Sequence, residues 1–159
     1  MSNEYYDWRR DHIEEAKEWI AKYPFLRIKD NGCCPWESTE EITSCWMFNL
    51  PVGWYGIGAK MCDELMVALG KYADDFIILQ LKEKYNEIRL YWDWTDREYT
   101  DEELDELNAI HSIIEDIIDT YAKVSHYTCV VCGRLATKWT DNWIASYCDD
   151  CFKRRYEHD

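Results

Sequence analysis

The sequence predicts an α+β fold, in which a small antiparallel sheet is covered by two or three helices and followed by a treble-clef-like zinc knuckle. Three observations predict this class. Apolar residues recur at spacings of three and four in several segments, as they do on one face of a helix. Two β-prone runs lie between residues 76 and 94, and two CxxC pairs follow residue 128.

The chain is long enough for one core and a small appendage, since it has 159 residues of which 47% are hydrophobic. Its net charge of -14 is unevenly spread. Residues before 129 include 27 acidic and 13 basic side chains, whereas the rest include five of each. We therefore expect an acidic α+β domain over 1–127 and a zinc-binding subdomain over 128–159, packed on it.

The first elements follow from periodicity and from proline. Large or apolar residues from Tyr5 to Tyr23 predict a helix that Pro24 ends. The runs Phe25–Lys29 and Ile42–Leu50 are rich in β-forming residues and predict two short strands.

The middle of the chain predicts a helix, a hairpin and a second helix. Residues Trp54 to Gly70 show helical spacing, with Gly70 as the stop. The runs 76–82 and 88–94 predict a β-hairpin, for which Asn86 supplies a left-handed turn position. A capping box that begins at Thr100 predicts the start of a helix of about six turns.

The cysteine spacing after residue 128 predicts a structural zinc site. Cys129 and Cys132 form one CxxC pair, and Cys148 and Cys151 form another after 15 intervening residues. Four thiolates fill the tetrahedral shell of zinc, so we expect the metal to stabilise the fold rather than to activate water. His126 is a possible substitute ligand.

The other cysteines have a plainer interpretation. Cys33, Cys34, Cys45 and Cys62 would form a second metal site if the fold gathered them, but their irregular spacing favours ordinary core or loop thiols.

Several motifs resemble an uncharacterised family of small proteins of bacteria and their phages. The matching residues are Pro24-Phe25-Leu26, Gly53-Trp54, Lys82 to Tyr85 running into Leu90-Tyr91, and Cys129 to Gly133 with the later CxxC pair. Where the relatives tend to have a glycine turn, this chain has Asn86-Glu87. The resemblance implies a phage or mobile-element setting and a zinc-stabilised fold, and it implies no catalytic residue.

The strongest electrostatic feature is a run of eleven acidic side chains and one basic one over residues 93–119. Its plain interpretation is a solvated helix face. The sharper hypothesis is a surface that imitates the phosphates of nucleic acid and fills the basic groove of a nucleic-acid enzyme. We name its candidate residues the acidic-aromatic surface: Trp92, Asp93, Trp94, Asp96, Glu98, Asp101, Glu102, Glu103, Asp105 and Glu106.

These features predict a non-enzymatic accessory protein that binds and inhibits a host defence or nucleic-acid-processing protein, in the manner of an anti-CRISPR protein. The partner is expected to be basic or nucleic-acid-binding, because the acidic field repels nucleic acid and anionic membranes. No signal peptide and no apolar run of about 20 residues is visible, which favours the cytosol, that of the host cell if a phage encodes the chain.

Two alternatives remain open at this point. A pocket lined by tryptophan and by Lys82, Lys84 and Arg89 would bind and sequester a nucleotide or another small signal. An enzyme of unknown chemistry would draw on His12, His111 and His126 with nearby carboxylates, although no familiar catalytic motif is present.

Overall fold

The computed structural model describes residues 12–28 and 45–157, and it is an α+β protein as predicted. Both of its sheets are two-stranded and antiparallel, the first of β1 with β2 and the second of β3 with β4. The regular elements are α1 (Ile13–Lys22), α2 (Tyr55–Leu69), β1 (Phe76–Lys84), β2 (Glu87–Trp94), α3 (Asp101–His126), β3 (Lys138–Trp139), β4 (Ser146–Tyr147) and α4 (Asp149–Tyr156).

Helix α1 ends at Lys22, two residues before Pro24, as a proline requires. The predicted strand over Phe25–Lys29 is wrong. Pro24–Leu26 form a 3-10 turn instead, and Arg27 makes a single bridge to Cys45. The residues that were predicted to begin this first helix, from Tyr5 to Asp11, and Lys29 lie outside the described ranges.

The second predicted strand, over Ile42–Leu50, is also wrong where the structure describes it. Trp46–Asn49 form a 3-10 turn in which Trp46, Met47 and Phe48 are all buried. A strand would point successive side chains to opposite faces, whereas a tight turn in the core surrounds all three with apolar neighbours. The part of this prediction over residues 42–44 is not described.

Helix α2 and the hairpin match their predictions. The helix ends at Gly70, whose φ of +52° is a left-handed conformation that glycine adopts without strain. In the hairpin, Tyr85 has φ +52° and Asn86 has φ +60°. Positive φ at both residues is typical of the two-residue hairpin turns whose twist matches that of the flanking strands. A bulge in β1 lies between Ile78 and Gln80.

Helix α3 begins with the predicted capping box, in which Thr100 and Glu103 bond reciprocally to each other's backbone N–H. Its 26 residues make about seven turns, one more than predicted. Ile114 and Ile118 are buried where α3 covers β2 and packs against α2. Leu104, from the predicted apolar stripe, stays 45% exposed.

One hydrophobic core runs through the whole described structure. Cys129, Val130 and Tyr147 belong to the same cluster of buried residues as Trp54 of the turn before α2 and Ile88 of β2. The C-terminal segment therefore packs on the α+β part rather than standing apart from it. Within residues 12–28 and 45–157, no helix combines the length and apolar character that crossing a bilayer requires.

Candidate metal centre and acidic surface

The four cysteines of the two CxxC pairs meet at one point. The sulfur atoms of Cys129, Cys132, Cys148 and Cys151 all lie within 4.8 Å of one another. Tetrahedral zinc with bonds of about 2.3 Å places its sulfur ligands about 3.8 Å apart, and the Cys132 and Cys148 sulfurs are 3.6 Å apart. The donor set therefore fits one four-coordinate metal ion.

The first pair sits on a tight knuckle. The N–H of Gly133 donates to the carbonyl of Cys129 at 3.1 Å, and the N–H of Cys129 donates to the carbonyl of Arg134 at 2.7 Å. Gly133 has φ +80°, so the glycine that follows Cys132 is needed for the turn. This confirms the interpretation of the CxxCG sequence as a knuckle.

The second pair lies at the N-terminus of α4, where Cys148 caps the helix and its sulfur accepts from the N–H of Cys151 at 3.4 Å. Burial opposes ionisation of Cys148, but this bond and its neighbouring thiols lower its pKa. Burial raises the pKa of Cys151 to about 12, opposed by Arg154, whose Nη2 lies 3.0 Å from the sulfur. A bound cation would allow all four sulfurs to ionise together.

Gly53 and Trp54 hold the knuckle against the rest of the molecule. The N–H of Gly53 donates to the carbonyl of Val130 at 2.9 Å, and Nε1 of Trp54 donates to the carbonyl of Thr128 at 3.0 Å. A Cβ atom on Gly53 would lie 2.1 Å from the carbonyl oxygen of Cys129, so no side chain fits there.

Asn86 forms the second attachment, from the hairpin turn. Its Nδ2 donates to the carbonyl of His126 at 3.3 Å, and its Oδ1 accepts from both N–H and Oγ of Ser146 at 3.2 Å. Asn86 is fully buried. The sequence assigned Asn86 only a turn position. The one signal of this further role is the residue type, because asparagine tolerates a left-handed turn and also has a side chain that forms hydrogen bonds.

Among the described residues, His126, Cys45 and Cys62 do not join this cluster. The ring of His126 stacks on Trp139 with centroids 5.7 Å apart. The group of possible metal ligands consists of the four cysteines and does not include His126. Cys45 and Cys62 are buried in the core, where burial strongly raises the pKa of Cys62. Cys33 and Cys34 lie outside the described residues.

The two tryptophans of the acidic-aromatic surface are half-buried rather than fully exposed. Trp92 and Trp94 pack edge to face with centroids 5.0 Å apart, and both contact Phe76. Nε1 of Trp92 donates to Glu115 at 2.8 Å. Part of each side chain is open to solvent, and Trp92 lies against α3 through His111 and Glu115.

Several carboxylates of the acidic-aromatic surface, and the neighbouring Asp75, have structural partners. Arg97 bonds Asp75 at 2.8 Å and Glu103 at 3.0 Å. Glu106 accepts from Tyr72 and pairs with Lys71. Asp93 accepts from the N–H of Trp94. The other acidic members are exposed, and their carboxylates form no hydrogen bond or ion pair with described residues: Asp96, Glu98, Asp101, Glu102 and Asp105.

The predicted basic pocket is only partly assembled. Lys82 and Arg89 face each other across the hairpin, and Lys84 lies two residues along the same strand. Arg89 pairs with Glu87 at 2.6 Å. A groove of about 400 Å³ beside β2 is lined by Arg89 but not by the two lysines, and its lining includes two carboxylates of α3. This composition disfavours an anionic ligand.

A second groove, of about 800 Å³, lies on the C-terminal segment between the β3–β4 loop and α4. Sequence reasoning did not foresee it, because its aromatic residues are scattered along the chain and share no periodicity. The aromatic lining residues are Trp139, Trp143, Tyr147, Phe152 and Tyr156.

The three candidate histidines do not come together as a site: His12 precedes α1, and His111 and His126 lie 15 residues apart on α3. His12 bonds Glu15 at 2.8 Å beside α1, whereas His111 contacts the ring of Trp92 from α3. Comparison of the chain with family models, curated proteins and solved structures found no match. The phage-protein resemblance therefore stays a prediction that is based on the motifs alone.

Proposed function

We propose that this chain is a non-enzymatic accessory protein that binds a basic or nucleic-acid-binding protein through the acidic-aromatic surface and inhibits it. The observation that carries the proposal is the group of exposed carboxylates before and at the start of α3. Because these side chains form no bond with described residues, they keep their charge available for a partner.

The shape of α3 supports a long contact. Its 26 residues extend over about 39 Å, and exposed acidic side chains recur from Asp101 to Asp119. From Asp101 to Asp119 the carboxylates form a row of about 27 Å on one rigid helix, interrupted between Glu106 and Glu115. Such a row matches the electrostatic demand of a groove that binds a phosphate backbone. The half-buried rings of Trp92 and Trp94 add apolar area beside the row, as anchors do in protein interfaces.

The inhibitory role rests on the resemblance to small phage proteins. A protein made during infection that fills the basic groove of a host nuclease or defence complex would block it without chemistry of its own. In that setting the protein acts in the cytosol of the host.

Capture of partners from host lysate tests this function. We expect the chain to retain basic or nucleic-acid-binding proteins at low salt and to lose most of them at about 0.5 M salt, where exposed charges are screened. The triple variant D101N/E102Q/D105N should lose them even at low salt. A matched triple variant, E18Q/D74N/E157Q, removes the same charge from other exposed sites and should retain them. Equal capture by both variants would remove the support for this surface.

We further propose that the metal is zinc and that its role is structural. Four cysteine ligands suit zinc and leave it no open position for substrate. Metal analysis of the purified chain should find about one zinc per chain, and C129S/C148S should lower this to near zero. Iron with a thiolate absorption spectrum in place of zinc would contradict the assignment.

A second candidate function is the binding of a nucleotide or a similar flat aromatic ligand. The observation that favours it is the aromatic groove of about 800 Å³, a size typical of small-molecule sites. A thermal-shift screen against nucleotides tests it, because a ligand at 100 times its Kd adds about 2.7 kcal/mol of stability. Unchanged melting with every nucleotide would exclude this candidate.

A further inference from the structure

Strand β2 has a second edge that no described strand covers. Its partner β1 occupies one side, and the N–H of Thr95, one residue beyond β2, continues that side by donating to the carbonyl of Asp75. Because backbone groups alternate between the two edges, odd-numbered residues of β2 bond toward β1. The N–H of Ile88 points the other way and donates to Oγ of Ser125 at 2.9 Å.

The same alternation places the N–H and C=O groups of Leu90 and Trp92 on this second edge. Neither residue has a backbone hydrogen bond from that edge to any other part of the described chain. Ser125 thus closes the edge only at Ile88, beside the hairpin turn. Two successive rungs remain available for a further strand.

Open space lies beside those two rungs. The groove of about 400 Å³ is lined by β2 from Ile88 to Trp92, by Leu79 of β1, and on the other side by one face of α3. Such a groove between a strand edge and a helix is the geometry in which extended peptides add to a sheet.

The acidic charge of the groove favours a basic occupant. Its α3 wall includes Glu115 and Asp119, whereas Arg89, the one lysine or arginine among its described lining residues, is already paired with Glu87. His111 and Tyr91 are the other titratable residues of the described lining. An extended segment that carries lysine or arginine would therefore satisfy both the backbone edge and the acidic wall.

We propose that β2 binds an extended basic segment of the partner protein as an added strand, along the edge formed by Leu90 and Trp92. The inference rests on the proposed function, since it specifies how the basic partner docks. Side chains opposite Leu90 and Trp92 lie on the same face as these residues, toward Glu115 and Asp119. The side chain between them lies on the other face, beside Tyr91. The segment therefore has basic residues two apart, with an apolar residue between them.

Amide hydrogen exchange with a synthetic peptide tests the added strand. The probe is a peptide of about eight residues in which arginine and valine alternate, added to the full chain. In the free protein, the amides of Arg89 and Tyr91 are expected to be protected and those of Leu90 and Trp92 to exchange at least about tenfold faster. Saturating peptide should slow Leu90 and Trp92 at least about tenfold.

Two controls separate strand addition from charge attraction. A peptide of the same sequence that is N-methylated at alternate amides cannot donate to the edge and should bind at least about tenfold more weakly. E115Q/D119N should bind the unmodified peptide about tenfold more weakly and with less salt dependence, and E115Q keeps an acceptor for Trp92. Equal binding of both peptides, or equal binding by the double variant, would overturn the proposal.

The same hydrogen-exchange measurement would detect other occupants of this edge. Leu90 and Trp92 amides that are already protected in the free monomer would mean that the chain covers its own edge, and protection that rises with protein concentration would mean a second copy. Either result overturns the proposal. Lysate capture that depends on Asp101, Glu102 and Asp105, combined with no peptide effect on exchange, would refute the strand mode alone.

Discussion

Gly53 leaves no room for a side chain, because the nearest atoms to a Cβ there would be backbone atoms of Cys129 and Val130, at 2.1 and 2.5 Å. We expect G53A to lower the free energy of unfolding by about 3 kcal/mol, since backbone that is fixed by a metal knuckle cannot move aside. Urea denaturation of the metal-loaded protein measures this. G56A is the matched control: nothing lies within 4 Å of a Cβ there, and alanine in a helix should stabilise by up to about 1 kcal/mol. Equal effects of the two changes would contradict this account.

Asn86 combines a left-handed backbone with a side chain that bonds two other segments. N86G keeps the turn but removes the three side-chain bonds to His126 and Ser146, and we expect a loss of about 2 to 3 kcal/mol in urea denaturation. The neighbouring Tyr85 is 70% exposed and also has positive φ. Y85N should therefore raise stability by about 0.5 to 1 kcal/mol, because asparagine adopts this conformation more readily. A stable N86G protein would show that the turn alone matters.

Single residues also show why part of the site escaped prediction. The ligands Cys129, Cys132, Cys148 and Cys151 were predictable because two sulfurs on one tight turn leave a spacing in the sequence. Gly53 bonds Val130 from 77 positions away, and Asn86 bonds His126 and Ser146 from 40 and 60 positions away. No local pattern encodes such a contact, and only the resemblance motifs included Gly53.

At the scale of elements, Arg97 joins the segment before β1 to the start of α3. Its bonds to Asp75 lower the pKa of that carboxyl, and the bond from the Thr100 backbone, followed by Arg97, lowers the pKa of Glu103. A carboxyl whose pKa is lowered by folding stabilises the protein above its ordinary pKa of about 4, and this contribution is lost as the pH falls through the folded pKa.

We therefore expect D75N to cost about 1 kcal/mol at pH 7, and this cost to shrink steadily below about pH 4. Urea denaturation of both proteins across the pH range gives the difference. Because the loss of metal in acid destabilises both proteins, the comparison uses only pH values at which both still show a urea transition. A cost that is the same at pH 7 and pH 3 would show that the Asp75 charge contributes nothing.

Elements with a long regular period were predictable, and short buried turns were not. Helices α2 and α3 repeat an apolar stripe over many residues, and the hairpin has strong β-formers on both sides of Asn86. Trp46–Asn49 is too short to show a period. Its apolar side chains look like a buried strand because both structures favour the same residue types.

At the scale of the whole molecule, the metal segment and the α+β part share one core, so we expect them to unfold together. Chelation of the metal should remove amide protection from Gly53 and Ser146, whose N–H groups bond across the junction, and from Val130, whose N–H bonds Ser146 within the metal segment. The same treatment should also reduce protection in β1 and β2. Hydrogen exchange before and after chelation measures this, with re-addition of zinc as the control. Two well-separated unfolding transitions would instead mark residues 128–159 as an independent domain.

The net charge of the whole chain follows from its composition. Which carboxylates bond other elements and which stay exposed could not be predicted from composition. Glu103 and Glu106 bond neighbouring elements, whereas Asp101, Glu102 and Asp105 do not. All five have similar sequence surroundings. What separates them is which side of α3 faces Lys71, Tyr72 and Arg97, and that depends on how the helix is rotated against the sheet.

The attachment of the knuckle to Gly53 and Trp54 has a consequence for synthesis on the ribosome. Thr128 and Val130 emerge more than 70 residues after the groups that bond them. The ribosome adds about 5 to 20 residues per second, so the N–H of Gly53 and Nε1 of Trp54 lack these hydrogen-bond acceptors for several seconds. A nascent chain that stalls before Cys148 also lacks the second ligand pair and so cannot close around a metal. Truncated products should therefore remain open to proteases, and only chains that have captured metal should accumulate.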